Sequence, residues 1–318
     1  MNKFRFLLLS FLFVSAGATA QRQNLYFLKN NGQYVKLRDS ADYLRIIKEP
    51  EQGSELYVVN EHYLDGTTKS LGYSSKIDPP VYEGQYISYY KNGKKRMMGN
   101  YKQGKLIDTV HNYYPNGNLY TAIGYSSTSD GKALKYIKSV KDSMGNDLVK
   151  DGNGACVFYD AEFKGIAEKG LIKNGLYEGD WVGTEPKIGL KYKETYVDGK
   201  MVSGESTDQD GVTYQYTKAS VEPQFKGGMD KFYTYLKKTI RYPEECYRSG
   251  IQGKVMLKFT VMKDGSIKNI SVMNDVHASL AREAVRVANA SPAWDPGVQR
   301  GRLVNVVYNV PVSFTLRR

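Results

Sequence analysis

The chain holds two cysteines, Cys156 and Cys246, and three histidines, His62, His111 and His277. A thiol beside a base makes a nucleophile, and clustered cysteine and histidine make a metal site. Here the histidines stand far apart, so there is no local histidine motif, and two cysteines exclude a four-cysteine metal site or a disulfide-dense scaffold. Cys156 follows the turn Gly152-Asn153-Gly154, which invites a nucleophile reading. The run Ala155-Cys156-Val157-Phe158 reads better as a buried strand. His277 precedes a helical segment and reads as a cap or surface residue. Glu244-Glu245 opens another helix, where carboxylates meet the positive end of the macrodipole, and general acid–base chemistry is not needed to explain the pair. No GxSxG, HExxH or P-loop pattern is present. The expectation is a protein that is not an enzyme, with no catalytic residue, no cofactor and no metal. Arg282, Arg286, Arg300 and Arg302 stand as a basic group. They read as solvated surface or as a positive face for an acidic segment or lipid head groups.

These residues sit in a chain of 318 residues with a formal charge of +12, long enough for two or three domains. Hydrophobic residues make up 41% and charged residues 25%, which excludes a disordered or collagenous chain. Met1 to Ala20 has Lys3 and Arg5 ahead of an apolar run and ends in Ala18-Thr19-Ala20, the layout of a cleavable secretory signal peptide. An uncleaved inner-membrane anchor is the alternative. Export places the chain in an oxidising periplasm, where Cys156 and Cys246 meet conditions that permit a disulfide, although they fall in separate domains. An isoelectric point near 9.3 suits nucleic acid, but export argues against that partner.

From about Asn24 to Lys218 the chain repeats a short theme. His62-Tyr63-Leu64-Asp65-Gly66, Tyr89-Tyr90-Lys91-Asn92-Gly93 and Tyr113-Tyr114-Pro115-Asn116-Gly117 are three clear copies, with a weaker pair at Asn174-Gly175 and Asp198-Gly199. Asn-Gly and Asp-Gly suit type I′ turns, and flanking tyrosines favour paired strands. A hairpin too small to bury its own face shares that face with its neighbours, which predicts a single-layer or rolled antiparallel sheet, in one or two subdomains. One stretch, Ser40 to Ile47, carries a short helix signal. The segment Tyr82 to Lys105, with Gly84, Tyr89-Tyr90, Asn92-Gly93-Lys94 and Gly99-x-Tyr101-x-x-Gly104-Lys105, resembles the MORN-type repeats of YwqK-like antitoxins. That resemblance implies a hairpin scaffold for protein contact or spacing, without implying toxin-related activity.

The texture changes near Ser220. Residues 221–318 carry 16 Lys and Arg against 8 Asp and Glu, whereas residues 21–220 are nearly balanced at 27 against 25. Periodicity predicts helices over Met229 to Thr239, Glu244 to Ser249 and Leu280 to Ala290. It predicts strands over Lys254 to Met262, Ser266 to Met273 and Val304 to Leu316. Trp294 reads as a core anchor within a turn, or as part of a binding face. The fold class expected is mostly β with an α+β C-terminal domain: a three-stranded antiparallel sheet with helices on one face.

The ordered set Pro223-x-Phe225-x-Gly227-Gly228, Tyr242-Pro243, Gly250-Ile251-Gln252-Gly253-Lys254-Val255, Phe259-x-Val261-x-x-Asp264-Gly265, Pro292-x-Trp294-x-Pro296-Gly297, Gly301-Arg302-x-Val304 and Pro311-Val312-x-Phe314-x-Leu316 resembles the C-terminal domain of the TonB family. The resemblance implies a periplasmic module that takes an extended segment of an outer-membrane TonB-dependent receptor, or of another envelope protein, onto a sheet edge. Its family-motif and candidate contact positions are Tyr242, Pro243, Gln252, Gly253, Trp294, Arg302, Val310, Pro311 and Phe314. Pro311, at an outward position in the last strand, marks part of that strand as an edge. In the family an inner-membrane motor complex drives the domain through a transmembrane helix and a proline-rich spacer. Here the hairpin repeats stand in the spacer's place. The alternative is a structural or adaptor envelope protein whose repeats carry protein or peripheral membrane contact without energy transduction.

Overall fold

The computed structural model describes residues 23–127 and 133–316. The leader-like segment Met1 to Ala20 lies outside them. The chain divides into two compact units, one ending at Lys150 and one running from Asp151. The composition change near Ser220 therefore falls inside the second unit.

The first unit is one antiparallel sheet of eleven strands. Its strands are β1 (Gln23–Leu28), β2 (Tyr34–Val35), β3 (Tyr43–Lys48), β4 (Tyr57–Tyr63), β5 (Thr68–Ser74), β6 (Tyr82–Tyr89), β7 (Lys95–Lys102), β8 (Lys105–Tyr113), β9 (Leu119–Ser127), β10 (Ala133–Lys141) and β11 (Asp147–Val149). From β3 to β11 every strand pairs with the next in sequence, and β1 lies between β3 and β2. The helix signal over Ser40 to Ile47 is overturned. Only Arg38–Ser40 makes a 3-10 turn, and Tyr43–Lys48 is a strand in full register with β4. Tyr43 and Ile47 are buried in the sheet, and sheet packing overrides a weak local helix preference.

The three clear Asp/Asn-Gly copies are also not type I′ turns. Only the glycine lies at positive φ, +89° at Gly66, +78° at Gly93 and +93° at Gly117. In each, the amide of the tyrosine before the turn donates to the carbonyl four residues on, as in Tyr90 N–H to Lys94 O, and frames a three-residue loop: a type I turn ending in a glycine bulge. The Asp or Asn side chain fixes it by accepting the amide two residues on, at 2.9 Å for Asp65, 3.0 Å for Asn92 and 2.9 Å for Asn116. Type I′ turns do occur at Gln103-Gly104, Asn174-Gly175 and Asp198-Gly199, where both residues have positive φ.

Successive hairpin ends are tied by the tyrosine before each turn. The hydroxyls of Tyr63, Tyr90 and Tyr114 donate to the carbonyls of Tyr89, Tyr113 and Lys141 at 3.1, 2.7 and 2.9 Å. Asn92 and Asn116 repeat the link through Nδ2 to Pro115 O and Ser143 O, both at 2.8 Å. Tyrosine is therefore frequent here for two reasons: ring packing within a sheet and a hydroxyl bridge between hairpins.

The second unit opens with a six-stranded antiparallel meander: β12 (Gly154–Tyr159), β13 (Ile166–Lys173), β14 (Leu176–Glu185), β15 (Leu190–Val197), β16 (Lys200–Thr207) and β17 (Thr213–Tyr216). Cys156 is buried in β12, as its apolar run predicts, and burial together with the Glu168 carboxylate pushes its thiol up to about 12. Both cysteines are free thiols. Cross-strand aromatics lie over glycines: a Cβ on Gly183 would meet the Tyr192 ring at 2.4 Å, and one on Gly204 the Tyr216 ring at 2.3 Å.

After β18 (Ser220–Val221) come α1 (Met229–Thr239), α2 (Glu244–Arg248), β19 (Gly253–Val261), β20 (Ile267–Val272), α3 (Ala278–Asn289), β21 (Gly297–Gln299), β22 (Arg302–Val304) and β23 (Val306–Phe314). The expected three-stranded sheet is present in the order β20-β19-β23. Its inward face carries Val255, Leu257, Phe259, Val261, Val310, Val312 and Phe314, packed with Phe232 and Leu236 of α1 and Leu280, Ala284 and Val287 of α3. The long alternation from Val304 to Leu316 is split. Val304 belongs to a second small sheet, β18-β21-β22, because the tight hairpin β21–β22 turns the chain just before β23.

Candidate strand-accepting edge and the arginine hairpin

The last strand is a sheet edge. Nine consecutive pairs, Gly253↔Phe314 to Val261↔Val306, join β19 to β23 with no register shift, and among the described residues no strand pairs on the far side of β23. The direction of its backbone groups follows from β19. Met256 O accepts from Met273 N at 2.9 Å and Met256 N donates to Asn274 Oδ1 at 2.8 Å, so Met256 faces away from β23. Its partner Pro311 therefore sits in a non-hydrogen-bonded pair, with nitrogen and carbonyl turned to the open side. By alternation Val307, Asn309 and Ser313 present N–H and C=O on that side. Pro311, lacking an N–H, interrupts the row without costing the sheet a bond. The opposite edge is irregular. The β19–β20 register shifts between Lys258 and Thr260, and Asn269 in β20 lies at φ +56°. Such kinks discourage pairing.

A groove of about 810 Å³ runs between α1 and the end of β23, with Tyr233, Lys237 and Ile240 on the helix side and Pro311, Ser313 and Thr315 on the strand side. Tyr242 closes one end. Its hydroxyl donates to Ile251 O at 2.7 Å and its ring meets Phe314 edge-on at 5.8 Å. Gln252 Oε1 accepts from Leu316 N at 2.8 Å and holds the chain beyond β23 in line. Gly253 pairs with Phe314. Of the candidate positions, Tyr242, Gln252, Gly253, Pro311 and Phe314 are thus gathered at one end of this edge.

The others lie elsewhere. Val310 is a core residue at 1% exposure. Trp294 is equally buried, ringed by Phe225, Phe232, Phe259 and Tyr308, with Nε1 donating to Ser291 Oγ at 3.1 Å; of its two readings the core anchor is the one observed. Pro243 caps α2 and lines a separate 610 Å³ hollow with Arg241, Arg282 and Arg286. The four arginines do not share a face. Arg286 grips Glu283 through two bonds of 2.7 Å and also donates to Thr239 O, and hydrogen bonding to Arg286 and to the Arg241 amide outweighs burial to hold the Glu283 carboxyl below its ordinary value.

Arg300 and Arg302 flank the tip of the β21–β22 hairpin and reach the six-stranded sheet. Arg300 occupies a type I′ position at φ +47°, followed by Gly301 at +80°. Its Nε donates to Glu194 Oε1 at 2.9 Å, its Nη1 to Glu185 Oε2 at 2.7 Å, and its guanidinium lies 3.6 Å from the centre of the Tyr192 ring. Glu194, with a side chain 1% exposed, also accepts from Tyr216 and Tyr196 at 2.9 Å each. Ser206 Oγ donates to Arg300 O at 2.7 Å, and Arg302 Nη1 donates to Ile188 O at 2.6 Å. The sequence suggests solvated surface, or a positive face for an acidic segment or lipid head groups, whereas Arg300 and Arg302 are bonded to the neighbouring sheet. The hidden signal is an arginine placed before glycine at a hairpin tip, a site that ordinarily takes Asn or Asp.

The second half of this unit is thus an α+β module with one regular open edge, one kinked edge and a hairpin fastened to a neighbouring sheet. In its later part, residues 238–316 match the family described as Gram-negative bacterial TonB protein C-terminal. Protein TonB of Pseudomonas aeruginosa is 35% identical over 63 residues, 20% of this chain. The chain spans about a fifth, 18%, of that relative's length. Two NMR solution structures of Helicobacter pylori TonB-CTD, a longer and a shorter piece, are each 24% identical with a TM-score of 0.23, covering 28% of this chain and 81% and 95% of theirs. Among the described residues no helix is long and apolar enough to cross a membrane.

Proposed function

We propose that the C-terminal domain is a periplasmic protein-interaction module that takes an extended segment of an outer-membrane receptor onto the open edge of β23. The observation that carries this reading is the contrast between the two edges: nine unbroken pairs behind β23, against a shifted register and a left-handed residue in β20. Backbone bonds to Asn309 and Ser313 supply the grip, and the α1 groove selects side chains. Lys237 and Lys254 there favour a segment with an acidic residue. Where such a domain is tethered to a proton-driven inner-membrane complex, this grip transmits pull to a receptor. In this reading the hairpin sheets serve as scaffold in the position of a spacer. The docking of Arg300 favours a second reading beside it, an adaptor in which the six-stranded sheet and the domain act together without energy transduction.

Titration with peptides from periplasmic segments of outer-membrane receptors tests the first reading. Saturable binding is expected, weakened at least about tenfold by Ser313→Pro, which removes one outward N–H worth roughly 1.5 kcal/mol once paired. Thermal stability stays near that of Ser313→Ala, since the N–H serves no bond within the sheet. Absence of saturable binding, or equal binding by Ser313→Pro, sinks the β23 assignment.

A further inference from the structure

Helix α2 and the start of α3 bring together three side chains that sequence spacing keeps apart. Cys246 Sγ lies 3.2 Å from His277 Nδ1 across 31 positions. A carboxylate oxygen of Glu245 joins them, so that the three ligand atoms lie within 4.8 Å of one another. Cys246 is fully buried, while Glu245 and His277 are exposed. The imidazole is over-subscribed. Its Nδ1 also receives the Ser279 amide at 3.3 Å as the N-cap of α3. One in-plane lone pair thus faces two donors, the thiol and the amide.

We propose that Glu245, Cys246 and His277 form a binding site for a borderline divalent metal ion of the zinc type. The donor set is one thiolate, one imidazole nitrogen and one carboxylate, which selects zinc-like ions over calcium or magnesium and leaves a fourth, tetrahedral position for water. Uptake breaks the Cys246 S–H bond, sends that proton to solvent and forms an Sγ–metal bond, with no change in oxidation state. Thiolate and carboxylate together neutralise a dication. That balance matters because two features oppose a cation here: the positive end of α3 and the Arg282 guanidinium, whose Nη2 lies 3.8 Å from Glu245 Oε1. The Glu245 carboxylate is already held in place, with Ser279 Oγ bonded to it and Arg282 Nη2 donating to Ser279 Oγ at 2.6 Å.

The test is titration of the full chain with cobalt(II), a spectroscopic stand-in for zinc, followed by displacement with zinc. One equivalent with a thiolate-to-cobalt charge-transfer band and tetrahedral ligand-field bands is expected, lost on adding zinc. Cys156→Ser keeps the band and Cys246→Ser loses it. Because Cys246 lies in the core, His277→Asn supplies the decisive variant. Asn still caps a helix, so metal-free melting stays close to the wild type, while cobalt affinity falls at least about tenfold, the scale of losing a metal-site partner. A cobalt spectrum without a thiolate band, or equal affinity in His277→Asn and wild type, overturns the proposal.

Discussion

Arg300→Ala removes the cation that reaches Glu194 from 106 positions away. The side chains are 12% and 1% exposed, so this is a buried pair. Breaking such a pair from one side leaves the other charge in the interior and costs about 3–5 kcal/mol. The bond to Glu185, a residue still 32% exposed, adds little. Loss of the cation over Tyr192 adds about 1 kcal/mol. A whole domain is stable by only about 5–15 kcal/mol, so the substitution removes about a quarter or more of that. Glycine at the same position separates two effects. Both variants lose the ion pair, but only glycine relieves the positive φ, so Arg300→Gly is expected to be about 1 kcal/mol less damaging than Arg300→Ala.

Native-state hydrogen exchange on the full chain, resolved by peptide, is the assay. Exchange through opening reports local stability. Amides of β15, β16, β17, β21 and β22 are expected to exchange faster by about three to four orders of magnitude in Arg300→Ala. Peptides of β4 to β8, in the other unit, serve as the unchanged reference. A change below about threefold in β15 to β17 refutes the reasoning, because it means that Glu194 satisfies its charge without Arg300.

Gly204→Ala is expected to destabilise the six-stranded sheet by about 1–3 kcal/mol, because the new methyl group meets the Tyr216 ring at 2.3 Å; urea unfolding measures it. In the first unit, burial raises the Glu61 carboxyl, but Lys69 and Arg45, both at 2.8 Å, more than offset this and hold it below its ordinary value. The folded state then binds fewer protons than the unfolded one. The stabilisation is fully present above the ordinary glutamate range near about 4.3 and is lost as pH falls through the lowered value. Acid unfolding followed on first-unit strands is expected to lose this pH-dependent component in Glu61→Gln, which is also less stable at neutral pH. An unchanged acid transition contradicts the assignment.

The C-terminal fold was legible because its signals are local and redundant. The alternation Val255, Leu257, Phe259, Val261 and the stripe Leu280, Ala284, Val287 each state which side is buried, and the Asp264-Gly265 turn sets their connection. The turn types were less legible. Asn92-Gly93 and Asn174-Gly175 are the same dipeptide, yet one closes a three-residue loop and the other a two-residue loop. The choice depends on where pairing resumes, at Lys94 in one case and Leu176 in the other, which is a property of the whole strand register. Cys246 and His277 escaped for a similar reason: their meeting depends on how α2 packs beside α3.

The two buried glutamates show where such reading must stop. Glu61 takes its cations from Arg45 and Lys69, on the strands paired to either side of its own. Register sets Arg45 directly opposite Glu61, and Lys69 reaches it from the bulge where the β4–β5 pairing steps from Ser70 to Thr68, so both cations come from neighbouring strands. Glu194 has the same need, but among the described residues the cation that meets it lies beyond the sheet, on the hairpin that precedes β23. The six-stranded sheet thus depends for its interior charge balance on the domain that follows it. That dependence makes Asp151 to Arg318 one unit, although composition divides it at Ser220.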